Sequence, residues 1–338
     1  MATDKHTEHE SYDDVSRIAV LYSLDDEWSE TRIQGAIKTA TQISEILDRH
    51  GLMTQQIAVR EDIFEVMRYL DPTDIVFNLV KSLKGVSNGD VLAATVLEES
   101  GLSYTGSDYV CLDQCRDKFH LNTMCQSLGI RVPESTLVLD TDQDLSHVEF
   151  PAIVKPNHGA YGLGIGLHSV VKNASELQQR VFEIWHDHEQ PPVIEEYIDG
   201  RELLVPVFGN APRQILPMLE IRFDGLPDEI PKILGTSCIC PTALNLQLLK
   251  EVELLATRAT QVAGCRDYAM VEFRIDKNDV PYLIEINPNP DISQHSAYYR
   301  AMQEADFLME DFVMQMADWA HIRSKAERAD DLKESFGA

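Results

Sequence analysis

Two short acidic segments near the C-terminal end constrain the fold more than any other part of the sequence: Ala269-Met-Val-Glu-Phe-Arg-Ile-Asp276 and Pro281-Tyr-Leu-Ile-Glu-Ile-Asn287. Each alternates apolar and polar residues, the pattern of a half-buried strand. Lys277-Asn278-Asp279-Val280 between them carries an Asn-Asp turn signal. Closed symmetrically, the hairpin sets Glu272 opposite Glu285, Met270 opposite Asn287 and Arg274 opposite Leu283. Opposed residues hold their Cβ atoms about 4.5–5.5 Å apart, and like charges there destabilise a sheet. A bound cation removes that cost, and the Asn287 amide oxygen adds a third hard ligand of the kind Mg²⁺ takes beside nucleotide phosphates. Read alone, the same acids also fit a hydrated hairpin face.

The rest of the chain bears on that choice. Its 338 residues suit two or three domains, and 44% apolar content describes a globular protein with ample core. A net charge of −27 argues against non-specific partners such as nucleic acid or an anionic membrane. A few local lysines and arginines can still govern one anion-binding cleft. No run reaches membrane-spanning length, and Met1–Arg17 is polar and acidic rather than signal-like, so a cytoplasmic location is expected. Cys111, Cys115, Cys125, Cys238, Cys240 and Cys265 fit neither zinc nor disulfide spacing and read as buried thiols in a reducing compartment.

Residues 1–16 read as a disordered acidic tail. Over 17–108, strands at Arg17–Tyr22, Gln55–Val59 and Asp74–Leu79 alternate with helices at Ile33–Leu47, Asp62–Leu70 and Asp90–Ser100. That alternation predicts a parallel α/β sheet. The second region, 109–200, is expected to hold one helix over Leu112–Leu128, strands at Ser135–Leu139, Ala152–Lys155, Ile165–Val171 and Pro192–Tyr197, and a helix over Ser175–Trp185. Residues 201–321 add strands, a helix over Asn245–Ala263 and the acidic hairpin, and 322–338 form a charged tail.

Lys155-Pro-Asn-His-Gly-Ala-Tyr-Gly-Leu-Gly-Ile165 leaves a strand through Gly159, Gly162 and Gly164. Glycines let backbone N–H groups approach phosphate oxygens closely, and Lys155 supplies a point charge. The run is not a Walker loop, and alone it also fits a glycine-rich hairpin over nothing. Val193-Ile-Glu-Glu-Tyr-Ile-Asp-Gly-Arg-Glu202 reads as a buried strand turning at Gly200. Its Glu196–Ile198 backbone can pair with an adenine edge and Glu202 can accept from ribose hydroxyls; an ordinary strand end carrying solvated acids is the alternative.

Taken together and in order, these segments resemble the ATP-grasp superfamily, and within it the D-alanine–D-alanine ligase-like enzymes, over about residues 17–300. Tyr104-Thr-Gly-Ser107 and then Asp117-Lys118 match the end of the family's first domain and its first nucleotide lysine. Lys155–Ile165 matches the flexible glycine loop, and Glu195–Glu202 the adenine hinge with its ribose glutamate. Lys232, ahead of Cys240-Pro241, matches the lysine of the loop that covers the phosphates. Glu272, Glu285 and Asn287 match the metal ligands, and Pro288-Asn289-Pro290 the bend after them.

The resemblance implies an N-terminal α/β domain, ATP held between two α+β subdomains, and two Mg²⁺ ions, with Mn²⁺ able to substitute. It implies transfer of the γ-phosphate to a small-molecule carboxylate, and attack of an amine on the acyl phosphate. Lys118, Lys155 and the loop around His158 would hold phosphates, and Arg274 would steady the transferring group or pair with a neighbouring acid. Asn289, Ser293, His295 and Ser296 follow the metal strand where the family grips its second substrate. Asp25, Asp26, Glu27 and Glu30 lie where it places an ammonium-binding glutamate, Glu27 being the first choice, although acids there also suit a helix start. Lys81 and Lys84 hint at an acidic first substrate or are simply exposed. The family habit is a homodimer.

Four positions depart from the family pattern. Tyr161 and Ile233 stand where it has a serine and a tyrosine, Met270 where it has an arginine, and Asp291 where it has a glycine. All four concern carboxylate and amine recognition rather than ATP, so ligase chemistry is expected without the cell-wall dipeptide activity. An ATP-binding sensor or scaffold, or an ATP-grasp enzyme of another branch, are the rival readings.

Overall fold

The computed structural model describes residues 12–336, apart from positions 16, 26, 85, 87, 141, 160–161, 224–234 and 236. It divides into two compact units, Met1–Tyr109 with Asp306–Ala338, and Val110–Ala305.

In the first unit, β1 (Ile18–Ser23), α1 (Glu30–Arg49), β2 (Thr54–Val59), α2 (Ile63–Val66), β3 (Ile75–Leu79) and α3 (Gly89–Glu99) follow one another. The sheet order is β2-β1-β3, with β1 parallel to both neighbours. Ile18, Ala19, Val20 and Leu21 are all buried, as a central parallel strand covered on both faces requires. Ser29 caps α1 by accepting from Arg32 N, and Ala40, Ile43 and Leu47 form its buried stripe.

The second unit opens with α4 (Tyr109–Arg116) and α5 (Lys118–Ser127). The single helix expected over Leu112–Leu128 is broken at Asp117, which takes an extended backbone and caps α5 through His120 N. Lys118 N then donates to Asn157 O at 3.1 Å, tying the break to the glycine-rich run. β4 (Ser135–Leu137), β5 (Ala152–Pro156), β6 (Val170–Val171), α6 (Ala174–His188) and β7 (Pro192–Glu196) build a four-stranded sheet of order β4-β7-β5-β6. The strand expected at Ile165–Val171 shrinks to β6. Gly162 and Gly164 hold φ of 71° and 69°, outside strand geometry, and a 3₁₀ turn over Leu167–Ser169 follows. A Cβ at Gly164 would stand 2.6 Å from Pro156 Cγ, so the loop can pass β5 only with glycine there.

β8 (Arg201–Phe208), β9 (Gln214–Ile215), β10 (Leu219–Arg222), β11 (Ser237–Ile239), α7 (Leu246–Val262), β12 (Tyr268–Ile275), β13 (Pro281–Asn287) and α8 (Ala297–Glu304) complete this unit. The second sheet runs β11-β10-β8-β12-β13, with β9 beside β8. Val252, Leu255, Ala256 and Ala259 of α7 share one core with Leu203, Val205, Val271 and Phe273 of the sheet. Full burial of a side chain such as Phe273 is worth about 1.5–3 kcal/mol. At Gly200 a Cβ would lie 1.8 Å from Ile275 O, so only glycine fits where the chain passes from one sheet to the other.

The chain then returns to the first unit as α9 (Met309–Phe336). This corrects two expected boundaries. Residues 306–321 do not belong with the second α+β region, and no separate tail begins at 322. Phe312, Val313, Met316, Ala317 and Ala320 give α9 a buried stripe, and Arg323 Nη2 donates to Tyr104 O at 2.8 Å. Periodicity reveals such a stripe but not which unit covers it. The tail expected to be disordered is also engaged at its end: Tyr12 Oη donates to Asp318 at 2.7 Å and Asp14 meets His321 Nε2 at 2.8 Å. Residues 1–11 lie outside the described residues. Among the described residues no helix is long and apolar enough to cross a membrane.

Candidate active site

β12 and β13 pair antiparallel with Met270 opposite Asn287, Val271 opposite Ile286 and Glu272 opposite Glu285. Beyond Glu272 the register slips, so Arg274 faces Tyr282 and not Leu283 as symmetric closure predicts. Ile284 is the extra residue of this β-bulge, and bulges re-aim side chains. Asp276 organises the turn by accepting from Asn278 N at 2.8 Å and Val280 N at 2.9 Å, while Asp279 takes φ 60°.

Burial first, then the charges of Glu285 and Glu202, push the Glu272 carboxyl well above the usual carboxylate range; Arg274 and Lys155 oppose this only in part. The sheet therefore carries the cost of opposed acids. The donors at this place, two carboxylates and an amide oxygen, are hard and fit Mg²⁺. The sign of the pH effect follows. A carboxyl raised in the folded state contributes stability below the ordinary carboxylate range, and that contribution is lost as pH rises through the raised folded value. As pH rises from the ordinary carboxylate range through that raised value, the ligand-free protein is expected to lose thermal stability relative to Glu272→Gln. Added Mg²⁺ should raise the melting temperature of the wild type and leave the variant unmoved. Parallel pH profiles for the two proteins would remove the assignment.

These acids floor a cavity of about 380 Å³. Lys155, Gly162, Glu195, Glu196, Tyr197, Ile198, Glu202, Glu272, Arg274, Glu285 and Asn287 all line it. The adenine-hinge strand, the glycine run and the acidic hairpin thus meet on one cavity. Ile153, Ile165 and Ile284 add an apolar wall that fits a flat base. Ile165 closes the glycine-rich run, whereas no motif in the sequence marks Ile153 or Ile284 as pocket residues. Ile153 lies two residues before Lys155, so strand alternation offered a signal for it; Ile284 reaches the pocket beside Glu285 through the bulge, which alternation cannot show.

Charge is balanced closely here. Lys155 Nζ meets Glu195 Oε2 at 2.5 Å with both side chains buried, and Asn122 Nδ2 donates to Glu195 Oε1 at 3.3 Å. Lys118 Nζ donates to Gly159 O at 2.9 Å and is not among the residues of the described lining. Burial lowers its pKa, and the carboxylates of Glu285 and Glu195 work against that fall. Arg274 forms an ion pair with Glu202, opposite it across the β8–β12 ladder, and lies 5.3 Å from the Phe223 ring. Its charge is thus engaged at the residue expected to meet ribose. Burial raises the Glu202 carboxyl pKa, with Arg274 pulling it down and Glu285 pushing it up.

Other sequence candidates stand elsewhere. His158 is half exposed, faces Asp117 at 3.3 Å and is absent from the described pocket lining, as are Gly159 and Gly164. Asn289 is buried and accepts from Tyr268 Oη at 2.8 Å, while its N–H donates to Asn287 Oδ1 at 3.0 Å. Ser293 Oγ donates to Asp291 at 2.7 Å. His295 and Ser296 line a separate cleft with Cys238 and Arg300, and Ser296 also caps α8. In the first unit, Lys84 pairs with Glu27 at 3.4 Å and Glu61 at 3.5 Å, so the lysine expected to draw an acidic substrate already holds acids. Glu30 begins α1 behind its Ser29 cap. Asp26, Tyr161, Lys232 and Ile233 lie outside the described residues.

Comparison with known proteins places the chain in a family. The family described as D-ala D-ala ligase C-terminus matches residues 125–318. A D-alanine–D-alanine ligase of Cupriavidus metallidurans is 31% identical over 244 residues, 70% of this chain and 73% of that protein. An uncharacterised protein of Sinorhizobium fredii is 31% identical over 261 residues, 74% of this chain and 75% of that one. The crystal structure of a Bacillus anthracis D-alanine–D-alanine ligase complexed with ATP superposes with a TM-score of 0.73 at 21% identity, covering 92% of this chain and 99% of that one. A D-Ala:D-Ser ligase of Enterococcus faecalis superposes with a TM-score of 0.74 at 16% identity, covering 90% and 99%.

Proposed function

This chain belongs to the D-alanine–D-alanine ligase family of ATP-grasp enzymes and is an ATP-dependent ligase forming C–N bonds, and from that premise we propose that it joins two small amino-acid-like substrates other than the standard D-alanine pair. One observation carries the reading: a single cavity brings Lys155, Glu195–Ile198, Glu202 and the Glu272, Glu285, Asn287 triad together. In this reading the isoleucine wall and the Glu195–Ile198 strand take the base, and Glu202 takes the ribose. Lys155 and Lys118 hold the phosphates in line toward a substrate carboxylate. Bound Mg²⁺ would supply neutralisation of charge on the phosphate oxygens, held by Glu272, Glu285 and Asn287. Arg274 positions Glu202 through their ion pair rather than reaching the transferred group itself. The carboxylate becomes an acyl phosphate as the γ-phosphoryl leaves ADP, and the acceptor amine then displaces phosphate.

Two sequence features favour substrates other than the D-alanine pair: Met270 in place of the family's arginine and Asp291 in place of its glycine. Met270 is buried and apolar, and it cannot pair with a carboxylate. The test is ADP release with Mg²⁺ and ATP across paired panels of amino acids, amines and carboxylates. Turnover with a pair other than two D-alanines is the expected result. D-alanine as the best substrate at both positions would overturn the substrate assignment, and ATP binding without ADP release on any pair would favour a nucleotide-binding scaffold.

A further inference from the structure

Three cysteines that fit no sequence motif converge in the core of the second unit. Cys111 and Cys115 lie one helical turn apart on α4, and Cys265 follows α7. All three are buried, their sulfurs lie within 4.8 Å of one another, and Cys111 and Cys265 stand 3.7 Å apart, sulfur to sulfur. Gly264, at φ 72°, takes the left-handed backbone that turns the chain from α7 into Cys265. We propose that Cys111, Cys115 and Cys265 form a closed binding site for a thiophilic closed-shell metal ion, Cu⁺ or Zn²⁺, remote in chemistry from the hard-oxygen triad of the nucleotide pocket.

The spacing matches. Sulfurs about 2.3 Å from such an ion stand about 3.8–4.0 Å apart at angles from tetrahedral to trigonal, so small rotamer shifts suffice. Soft thiolates select Cu⁺ and Zn²⁺ over Mg²⁺. Metal-free, hydrogen bonding with Cys111, joined by burial, raises Cys115 and Cys265 far above the ordinary thiol range. Binding must therefore displace the thiol protons to solvent as metal–sulfur bonds form, with no change in oxidation state. The charge left by three thiolates is offset further by Arg213, whose Nη2 donates to Cys265 O at 2.7 Å. With three donors and no fourth in this group among the described residues, a three-coordinate ion is the better match, which favours Cu⁺.

The test uses the full-length reduced protein, titrated separately with Cu⁺ and Zn²⁺ and then desalted. Cd²⁺ serves as an optical probe because its thiolate bonds absorb in the ultraviolet. One ion per chain, proton release on binding and a rise in melting temperature are expected. The same behaviour is expected of a Cys125→Ala/Cys238→Ser/Cys240→Ser variant, which keeps only the trio. Cys265→Ser and Cys115→Ala should each lose retention at least tenfold, with circular dichroism confirming the fold; if one fails to fold, the other decides. Failure of the trio-only variant to retain any of the three ions would overturn the proposal. So would undiminished retention in a folded Cys265→Ser or Cys115→Ala protein.

Discussion

Glu285→Gln is expected to lower ADP release by about a thousandfold or more while leaving the circular dichroism spectrum unchanged. The variant keeps the size and polarity of the side chain, so the sheet has no reason to open. What it loses is one of two facing carboxylates, and with it most of the attraction for a divalent cation. A metal held at transferring phosphates is worth several kcal/mol of transition-state stabilisation, and about 4 kcal/mol is a factor of about a thousand in rate. The apo protein should tolerate the change well, because the Glu285 carboxylate is the charge that raises the Glu272 carboxyl most. A variant that melts higher without Mg²⁺ and turns over at the wild-type rate would separate the electrostatics from the chemistry and remove the metal assignment. Glu285→Asp distinguishes charge from geometry: it keeps the carboxylate one methylene short, and partial activity is expected.

The pairing at the heart of this pocket is legible in the sequence. The facing glutamates follow from strand period and a turn signal, two local properties that the bulge leaves intact up to Glu272. The glycine run and the hinge strand were recognisable for the same reason, since each carries its chemistry in a short stretch. What could not be read were partners distant in sequence. Lys155 meeting Glu195, Arg274 meeting Glu202 and Cys265 meeting Cys111 are products of sheet register and helix packing, and separations of tens of residues hide them. The break at Asp117 was missed because helical periodicity runs through it, although Asp is a good cap. The placement of α9 failed similarly, as an apolar stripe does not name its partner.

The Lys155–Glu195 pair makes the usual test of a phosphate-binding lysine misleading. Lys155→Met alone leaves Glu195 buried with one weak donor, Asn122, at 3.3 Å. Removing one partner of a buried ion pair costs about 3–5 kcal/mol, enough to unfold part of the population and imitate a loss of ATP affinity. Lys155→Met/Glu195→Gln removes both charges, and replacing a buried pair by neutral groups of similar volume is often near neutral in stability. The double variant is therefore expected to melt close to the wild type, and the single variant far below it. If Lys155 acts on phosphate, the double variant should still bind ATP at least about tenfold more weakly, or about 1.4 kcal/mol. Glu195→Gln alone leaves the buried lysine without its partner and carries a similar cost, so it separates that loss from any loss at the base only at a temperature well below its own melting midpoint. Titration calorimetry on the three folded proteins decides: wild-type ATP affinity in the double variant would show that the lysine serves only to neutralise Glu195, and phosphate recognition would then fall to Lys118 and the loop amides.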